Sequence, residues 1–488
     1  MYWIELFVLC HFILTVAIAL RVIYARRSSS AALAWLAVLF AFPYFGVLLY
    51  LLIGEPKLGR ARAKRRAELL AFHDAFADRF LPPQALPPED IRFRQIARLV
   101  QADTRFDTTT GNDTRLLADT DAILQSFIAD IDAAQHCCLL EFYIVEGSGR
   151  VAGVLEALMR AAARGVRCQL LVDALGSQNF WRSAWPGKLR AAGVEVTEAL
   201  PFGLIRALWV RSDLRNHRKI LIVDNLIAYT GSFNLVDPRY FKQGAGVGEW
   251  VDMMMRCRGT VVLEMAAVFY ADVAVEADEH LAEVRQEIEK LDDKIPELLA
   301  LKRQSGTAVA QVIPSAPDQS DPVIYETIVC AIHAAKTRVT ITTPYFVPDE
   351  LLLTALTTAA KRGVDVVLIL PEKVDSFLVR WASRAYYPKL LTAGVKIALF
   401  HGGLLHAKTL VVDGDYALFG TVNMDMRSFF LNLEISLAIY DAPVVREIAR
   451  IQKTYLRDSR YISVKRWQKR EKIWGLVENT VRLFSPLL

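Results

Sequence analysis

The chain has 488 residues, room for two to four folded units at roughly 100–200 residues apiece. It is 53% hydrophobic with a mean hydropathy of +0.26, which excludes large-scale disorder and is too apolar for a chain that is water-soluble throughout. Its 58 Lys and Arg against 53 Asp and Glu leave a net charge of +5, too small for a dedicated nucleic-acid binder, although local basic clusters suit anionic lipid.

In chain order, the first 55 residues read as a two-helix membrane anchor. Residues 31–53, AALAWLAVLFAFPYFGVLLYLLI, carry no charge. As a helix they would extend about 34 Å, enough to cross the hydrocarbon core, and Pro43 is placed to kink that helix. Residues 3–24 are the weaker candidate, because they hold Glu5, His11 and Arg21. A signal peptide is disfavoured: the early segment has Glu5 and no Lys or Arg, and a second apolar run follows directly. Arg21, Arg26 and Arg27 lie between the runs, whereas Lys57, Arg60, Arg62, Lys64, Arg65 and Arg66 follow the second. That imbalance places the main body on the cytoplasmic side. Residues 56–112 form a basic juxtamembrane helical segment, suited either to anionic lipid or to a solvated helix face.

Residues 113–305 and 306–488 read as two copies of one unit. The first runs ILQSFIADIDAAQHCCLLEFYIV, LEALMRAAARGVRCQLLVD, LRAAGVEV; the second runs IYETIVCAIHAAKTRVTITTPYFV, LTALTTAAKRGVDVVLILP, LLTAGVKI. Tyr143 matches Tyr345, Arg164-Gly165-Val166 matches Arg362-Gly363-Val364, and Gly193 matches Gly394. Each copy alternates amphipathic helices with apolar, β-rich runs, the pattern of buried strands with helices on both faces. A charged stretch, RQEIEKLDDKIPELLALKRQ, and the turn-rich PSAPDQSDP set the boundary near residue 305. The first copy has extra segments, QNFWRSAWPGK, FGLIRALWVRSD and DPRYFKQGAGVGE, whose aromatics either line a lipid entrance or pack as ordinary loops. In the C-terminal tail, Trp474, Val477, Val481 and Phe484 stand near helical spacing, which fits a helix on the membrane surface or one packed on the body. The six cysteines include no C-x-x-C pair and no zinc-like Cys/His spacing, so neither a structural metal nor an oxidising compartment is expected.

Both copies end in the same constellation. The first is His217-Arg-Lys219-Ile-Leu-Ile-Val-Asp224 followed by Gly231-Ser232-Phe-Asn234; the second is His406-Ala-Lys408-Thr-Leu-Val-Val-Asp413 followed by Gly420-Thr421-Val-Asn423. Asn follows His by seventeen positions in each. One such motif can arise by chance among eight histidines, but two at equivalent places in a repeat are not coincidence. Strand alternation points His and Lys of H-x-K to one face, and the G-[ST]-x-N loop adds Ser/Thr and Asn donors. Two His, two Lys and two Asn around one cavity suit a phosphodiester. Lys and Asn hold non-bridging oxygens, one imidazole attacks phosphorus and the other protonates the departing alkoxide. No divalent metal or other cofactor is required.

These residues resemble the phospholipase D superfamily, whose hallmark is the paired HKD motif. NHRKILIVDNLIAYTGSFNLVDPRYF, TTPYFVPD, LLHAKTLVVDG, GTVNMDMRS, the terminal FSPLL and the two leading apolar segments narrow it to the bacterial cardiolipin synthases. The resemblance implies an α/β body of two tandem phospholipase D-like domains, each a central β-sheet flanked by helices, sharing one active site behind the anchor. It implies the catalytic set His217, Lys219, Asp224, His406, Lys408 and Asp413, with His217 as nucleophile and His406 as acid and then base. Lys219, Lys408, Asn234 and Asn423 match phosphate ligands, with Ser232 and Thr421 beside them. Asp224 and Asp413, coming after an apolar strand, are better placed to fix turns. An acid after each motif orients its own His: Glu434 in the second half, and in the first Asp252, with Glu249 as rival.

The expected function is phosphatidyl transfer from one phosphatidylglycerol to another, giving cardiolipin and glycerol, in a multi-pass protein of the bacterial inner membrane. Phosphatidylglycerol and anionic membrane lipid are the expected partners, and nucleic acid is not. A membrane-bound phospholipase D making phosphatidic acid is the alternative; a tethered nuclease and a non-catalytic scaffold fit less well. Aromatic-rich loops around Phe202, Trp209 and Phe241 would keep water from the intermediate.

Overall fold

Apolar runs flanked by amphipathic helices become strands of one mixed sheet in this structure, a computed structural model that describes residues 2–24, 29–55, 62, 64–65, 90–201, 211, 213–276, 306–317, 322–483 and 485. The boundary near residue 305, the charged stretch before it, most of the basic segment after residue 55, Phe202, Trp209, Phe484 and most of FSPLL lie outside the described residues. Two compact units are present: residues 1–63 with 202–214, and residues 64–201 with 215–488.

In the first unit the ranking of the two apolar runs reverses. The helix Tyr2–Tyr24 is continuous, and among the described residues only its stretch Glu5–Tyr24 is long and apolar enough to cross a membrane. The uncharged second run is split into Ser29–Ala41 and Pro43–Ile53. Pro43 has no N–H to give to the preceding turn and forces Phe42 out of the helical region, to φ −133° and ψ 70°. Gly46 then lies so close to the preceding helix that a Cβ there would sit 2.8 Å from the Val38 carbonyl oxygen. Ile18, Val22, Leu39, Val47 and Tyr50 form a small core among these helices, and Arg21 closes it with a bidentate pair to Glu55 at 2.7 Å. Phe7, Phe12, Ile13, Leu20, Phe40 and Phe45 stay exposed, an apolar outer surface suited to lipid.

Among the described residues of the second unit, sixteen strands form the sheet. At its centre Thr109–Leu117 pairs antiparallel with Ala308–Ser315, and each leads a half of like strand order. Outward in the first half come Met254–Arg258, Ile227–Gly231, Lys219–Val223, Cys137–Phe142, Arg167–Asp173 and Glu195–Ala199. Outward in the second come Asn432–Ile439, Tyr416–Gly420, Thr409–Val412, Arg338–Thr342, Asp365–Pro371 and Lys396–Phe400, with Ser459–Tyr461 at the edge. The outer strands pair in parallel, apart from the antiparallel edge strand Ser459–Tyr461, and the inner ones pair antiparallel. Gly165 and Gly363 end their helices at φ +84° and +91°, the left-handed region glycine reaches without strain.

Helices Val261–Glu276 and Ala442–Arg457 pack in a core shared by both halves, which is why the first is buried on nearly every side. Helices Thr120–Ala133 and Val151–Ala163 cover the outer face of the first half. Val323–Ala334, Glu350–Lys361 and Phe377–Ala393 do so in the second. The helix Ile91–Thr104, N-capped by Asp90, comes before the first half in sequence yet buries Phe93, Ile96 and Val100 in the core of the second.

Candidate active site

The two motifs meet where each half lends the other a short strand. Arg215–Asn216 runs parallel to Asn432–Leu433, and the His217 N–H donates to the Leu433 carbonyl at 2.9 Å. Correspondingly, Leu404–Leu405 runs parallel to Trp250–Val251, and the His406 N–H donates to Val251 at 2.8 Å. The second exchange needs glycine. A Cβ on Gly403, whose φ is +126°, would press into the Glu249 carbonyl, and one on Gly248 would lie 3.1 Å from the Gly403 Cα.

This exchange crosses the acids over. His217 Nδ1 faces Glu434 at 2.8 and 2.9 Å, whereas His406 Nδ1 faces Asp252 at 2.6 Å. The expectation that each acid serves the histidine of its own half is therefore corrected: the pairing runs between halves, because each acid lies on the segment that pairs with the other half's histidine. Glu249, the rival to Asp252, is exposed and contributes its carbonyl oxygen to the Leu404 N–H. A carboxylate only accepts, so each Nδ1 carries the hydrogen and each Nε2 keeps its lone pair.

Ser232 and Thr421 are also corrected. Expected beside the phosphate, they are buried and turned to the acids: Ser232 Oγ donates to Asp252 at 2.6 Å and accepts from the Met253 N–H at 3.0 Å. Thr421 Oγ1 donates to Glu434 at 2.5 Å and accepts from the Ile435 N–H at 2.9 Å. With donor and acceptor both engaged, these hydroxyls hold carboxylates in place.

Asp224 and Asp413 lie at the far ends of their strands, at φ +54°. Asp224 accepts the N–H groups of Gln135, His136 and Cys137, and Asp413 those of Lys336, Thr337 and Arg338 together with the Arg92 guanidinium. They fix turns, and their place in the catalytic set is withdrawn.

Lys219 and Lys408 are buried, and each Nζ donates to the carbonyl of its own histidine at 2.6 Å. Asn234 uses Oδ1 to accept from Ile144 N–H at 3.3 Å, which leaves its amide hydrogens as donors, and Asn423 is buried in the matching loop. Burial disfavours every charge here. It pushes both histidines down to about 4, against the pull of Glu434 and Asp252. Burial likewise lowers Lys219 to about 7 and Lys408 to about 8, each offset in part by the acids. For Asp252 and Glu434 burial acts upward, but His406, Lys408 and Ser232 on one side and His217, Lys219 and Thr421 on the other together outweigh it, so both acids stay below the usual carboxylate range. Lys408 depresses both His217 and Lys219, so the halves act on one electrostatic centre.

Several residues were not singled out by the motif. Tyr143, noticed only as a repeat match, sets its ring edge-on to His217 at 5.0 Å and lies under Lys219 at 5.5 Å. Trp250 lies 4.3 Å from His406 and packs on Phe241, the one described member of the expected water-excluding aromatics. Lys242 bonds Asp375 at 3.1 Å, and Asp375 accepts from Tyr345 at 2.7 Å. Arg218, between His217 and Lys219, points to the opposite face, where it is fully buried, pairs with Asp272 and donates to the carbonyls of Glu434 and Ser315 at 3.0 Å. An Arg between two site residues on a strand carries that signal, since alternation must send it into the core.

The family described as "Cardiolipin synthase, PLD-like domain" matches residues 127–244 and 328–455, and "Phospholipase_D-nuclease N-terminal" matches residues 13–55. "Cardiolipin synthase A" of Erwinia tasmaniensis is 41% identical over 494 residues, covering 99% of this chain and 98% of its own. The protein of the same name from Klebsiella pneumoniae is 40% identical over 485 residues, with the same coverage. The phosphatidylserine synthase of Haemophilus influenzae shares the fold at a TM-score of 0.61 and 12% identity, covering 81% of this chain and all of that one.

Proposed function

The chain belongs to the cardiolipin synthases with phospholipase D-like domains, and from that premise we propose that it joins two molecules of phosphatidylglycerol through a phosphohistidine. It is a membrane-associated phosphatidyltransferase. The observation that carries the course of reaction is the pair of buried imidazoles, each held through Nδ1 by a carboxylate from the opposite half.

His217 Nε2 attacks the phosphorus of the first phosphatidylglycerol. The bond from phosphorus to the glycerol oxygen breaks, and His406 gives the departing oxygen its proton. Both imidazoles are neutral in the empty site, as a nucleophile must be; the anionic phosphodiester, arriving beside them, favours the protonated form of His406. Now neutral, His406 removes the proton from a hydroxyl of the second phosphatidylglycerol. That oxygen attacks phosphorus, the P–N bond breaks, and His217 is regenerated. Lys219 and Lys408, with Asn234 and Asn423, offset charge on the non-bridging oxygens. One phosphodiester replaces another, so no nucleotide is consumed. Domains of residues 113–305 and 306–488 enclose this chemistry, and the body faces the cytoplasm behind a multi-pass anchor in the bacterial inner membrane.

The test is purified protein with labelled phosphatidylglycerol in mixed micelles. Cardiolipin and glycerol should form in step, His217→Ala should abolish the trapped phosphoenzyme, and His406→Ala should form it slowly without resolving it. Phosphatidic acid as the main product would replace the synthase reading with hydrolysis to water.

A further inference from the structure

A second cationic site lies in the second half, and no motif residue lines it. The loop after strand Asp365–Pro371, helix Phe377–Ala393 and the segment 460–470 enclose a cavity of about 440 Å³. Its floor is apolar, built from Phe346, Leu370, Val379 and Leu399. Around it stand Arg380, Arg384, Arg460, Arg466 and Arg470. Glu372 pairs with Arg460 at 2.7 Å, and Glu478 serves both Arg384 at 3.1 Å and Arg470 at 2.5 Å. Arg380 and Arg466 are exposed and have no carboxylate partner among the described residues.

The arginines are crowded by an aromatic. Arg384 and Arg470 flank the Trp467 ring, at 5.2 and 4.0 Å from its centre. Burial lowers Arg384 from its ordinary value, and the neighbouring Arg470 charge lowers it further. Glu478 offsets part of that repulsion, and a further anion would offset more of it.

Next to the cavity the surface turns apolar. Helix Lys472–Arg482 is pinned to helix Phe377–Ala393 by stacked Trp474 and Trp381, 5.2 Å apart. Phe377, Leu378, Ile473, Leu476 and Leu483 remain exposed nearby. The tail is thus packed on the body, one of the two readings of its helical spacing, and it still presents an apolar stripe. A guanidinium-lined hollow beside such a stripe complements a molecule with an anionic head and apolar chains. Free phosphate would leave the stripe unused.

We propose that this cavity binds the phosphodiester of an anionic phospholipid, distinct from the phosphate that reacts, with the acyl chains along the Ile473–Leu476 stripe. The proposal goes beyond phosphatidyl transfer and depends only on membrane association. It is tested with the full-length chain carrying His217→Ala, which prevents consumption of the lipid, in neutral detergent. Tryptophan emission is read while phosphatidylglycerol or phosphatidylcholine with brominated chains is added. Phosphatidylglycerol should quench more strongly, and the excess should fall in Trp474→Phe, which removes the emitter beside the Ile473–Leu476 stripe. The double variant Arg380→Gln/Arg466→Gln should weaken the apparent affinity at least fivefold, and Arg380→Lys/Arg466→Lys should restore most of it. Equal quenching by the two lipids, insensitivity to the arginines, or displacement by millimolar inorganic phosphate would overturn the proposal. Since quenching does not read turnover, cardiolipin formation can fail or succeed independently of it.

Discussion

Glu434 and Asp252 do the same job for opposite partners, and this separates their variants. Glu434→Gln removes the charge facing His217 and should slow formation of the phosphoenzyme by roughly 10²–10⁴-fold. Asp252→Asn disturbs His406 instead and should let the phosphoenzyme accumulate before it resolves. Rapid-quench trapping with labelled phosphatidylglycerol distinguishes the two; the reverse assignment would contradict acid exchange between halves. The titrations give a second expectation. Burial lowers histidine and lysine alike, so kcat/KM should fall below about pH 4 as His217 gains its proton. It should also fall above about 7 to 8, as Lys219 and Lys408 lose theirs. Lys219→Arg keeps its charge at those pH values and should move the alkaline limb upward in a pH profile of kcat/KM. A profile that is level from pH 6 to 9 would count against the assignment.

Among the elements, strand Asn432–Ile439 carries the greatest constraint, since it pairs with Ala308–Ser315, Tyr416–Gly420 and Arg215–Asn216 and also holds Glu434. Arg218 ties it down from beneath, bonding the Glu434 and Ser315 carbonyls and Asp272. Burial, with the Asp272 charge behind it, pushes the nearby Glu141 carboxyl well above its usual range, so Arg218 mainly balances Asp272. Arg218→Met should therefore cost about 3–5 kcal/mol, read from denaturant unfolding of the purified chain. Arg218→Met/Asp272→Leu should recover much of it; a single-variant loss below about 1 kcal/mol would exclude the role. What could be read in advance follows the same division by range. The strands Lys219–Val223 and Thr409–Val412 and the inward-facing His and Lys pairs were legible, because apolar runs and alternation are local. The exchange of Asp252 and Glu434 was not, since it depends on Trp250–Val251 and Asn432–Leu433 crossing to the other half. Ser232 and Thr421 were misjudged for a related reason: a hydroxyl's partner is set by which acid comes alongside. The break at Phe42 was written in Pro43, but not that it would leave Tyr2–Tyr24 the longer helix.

For the molecule as a whole, both acid–histidine pairs form within a single chain. Mixing His217→Ala protein with His406→Ala protein should restore no cardiolipin synthesis, because neither chain holds a complete pair of imidazoles. Recovery on mixing, measured against each variant alone, would mean that the site assembles between chains. The strand order reads alike in both directions from the central pair Thr109–Leu117 and Ala308–Ser315. Two identical half-chains, associating through those strands, would possess the same ring of imidazoles and ammonium groups. They would also have to present identical walls to whatever entered from either side. Joined end to end, the copies are free to diverge: Trp250 borders His406, while the equivalent position in the other copy, two residues before its acid, is Asn432, which bonds Glu434. A reaction whose two substrates are the same molecule gains from this. The lipid that surrenders its glycerol and the lipid that offers its hydroxyl can each meet a surface shaped for its own part in the exchange.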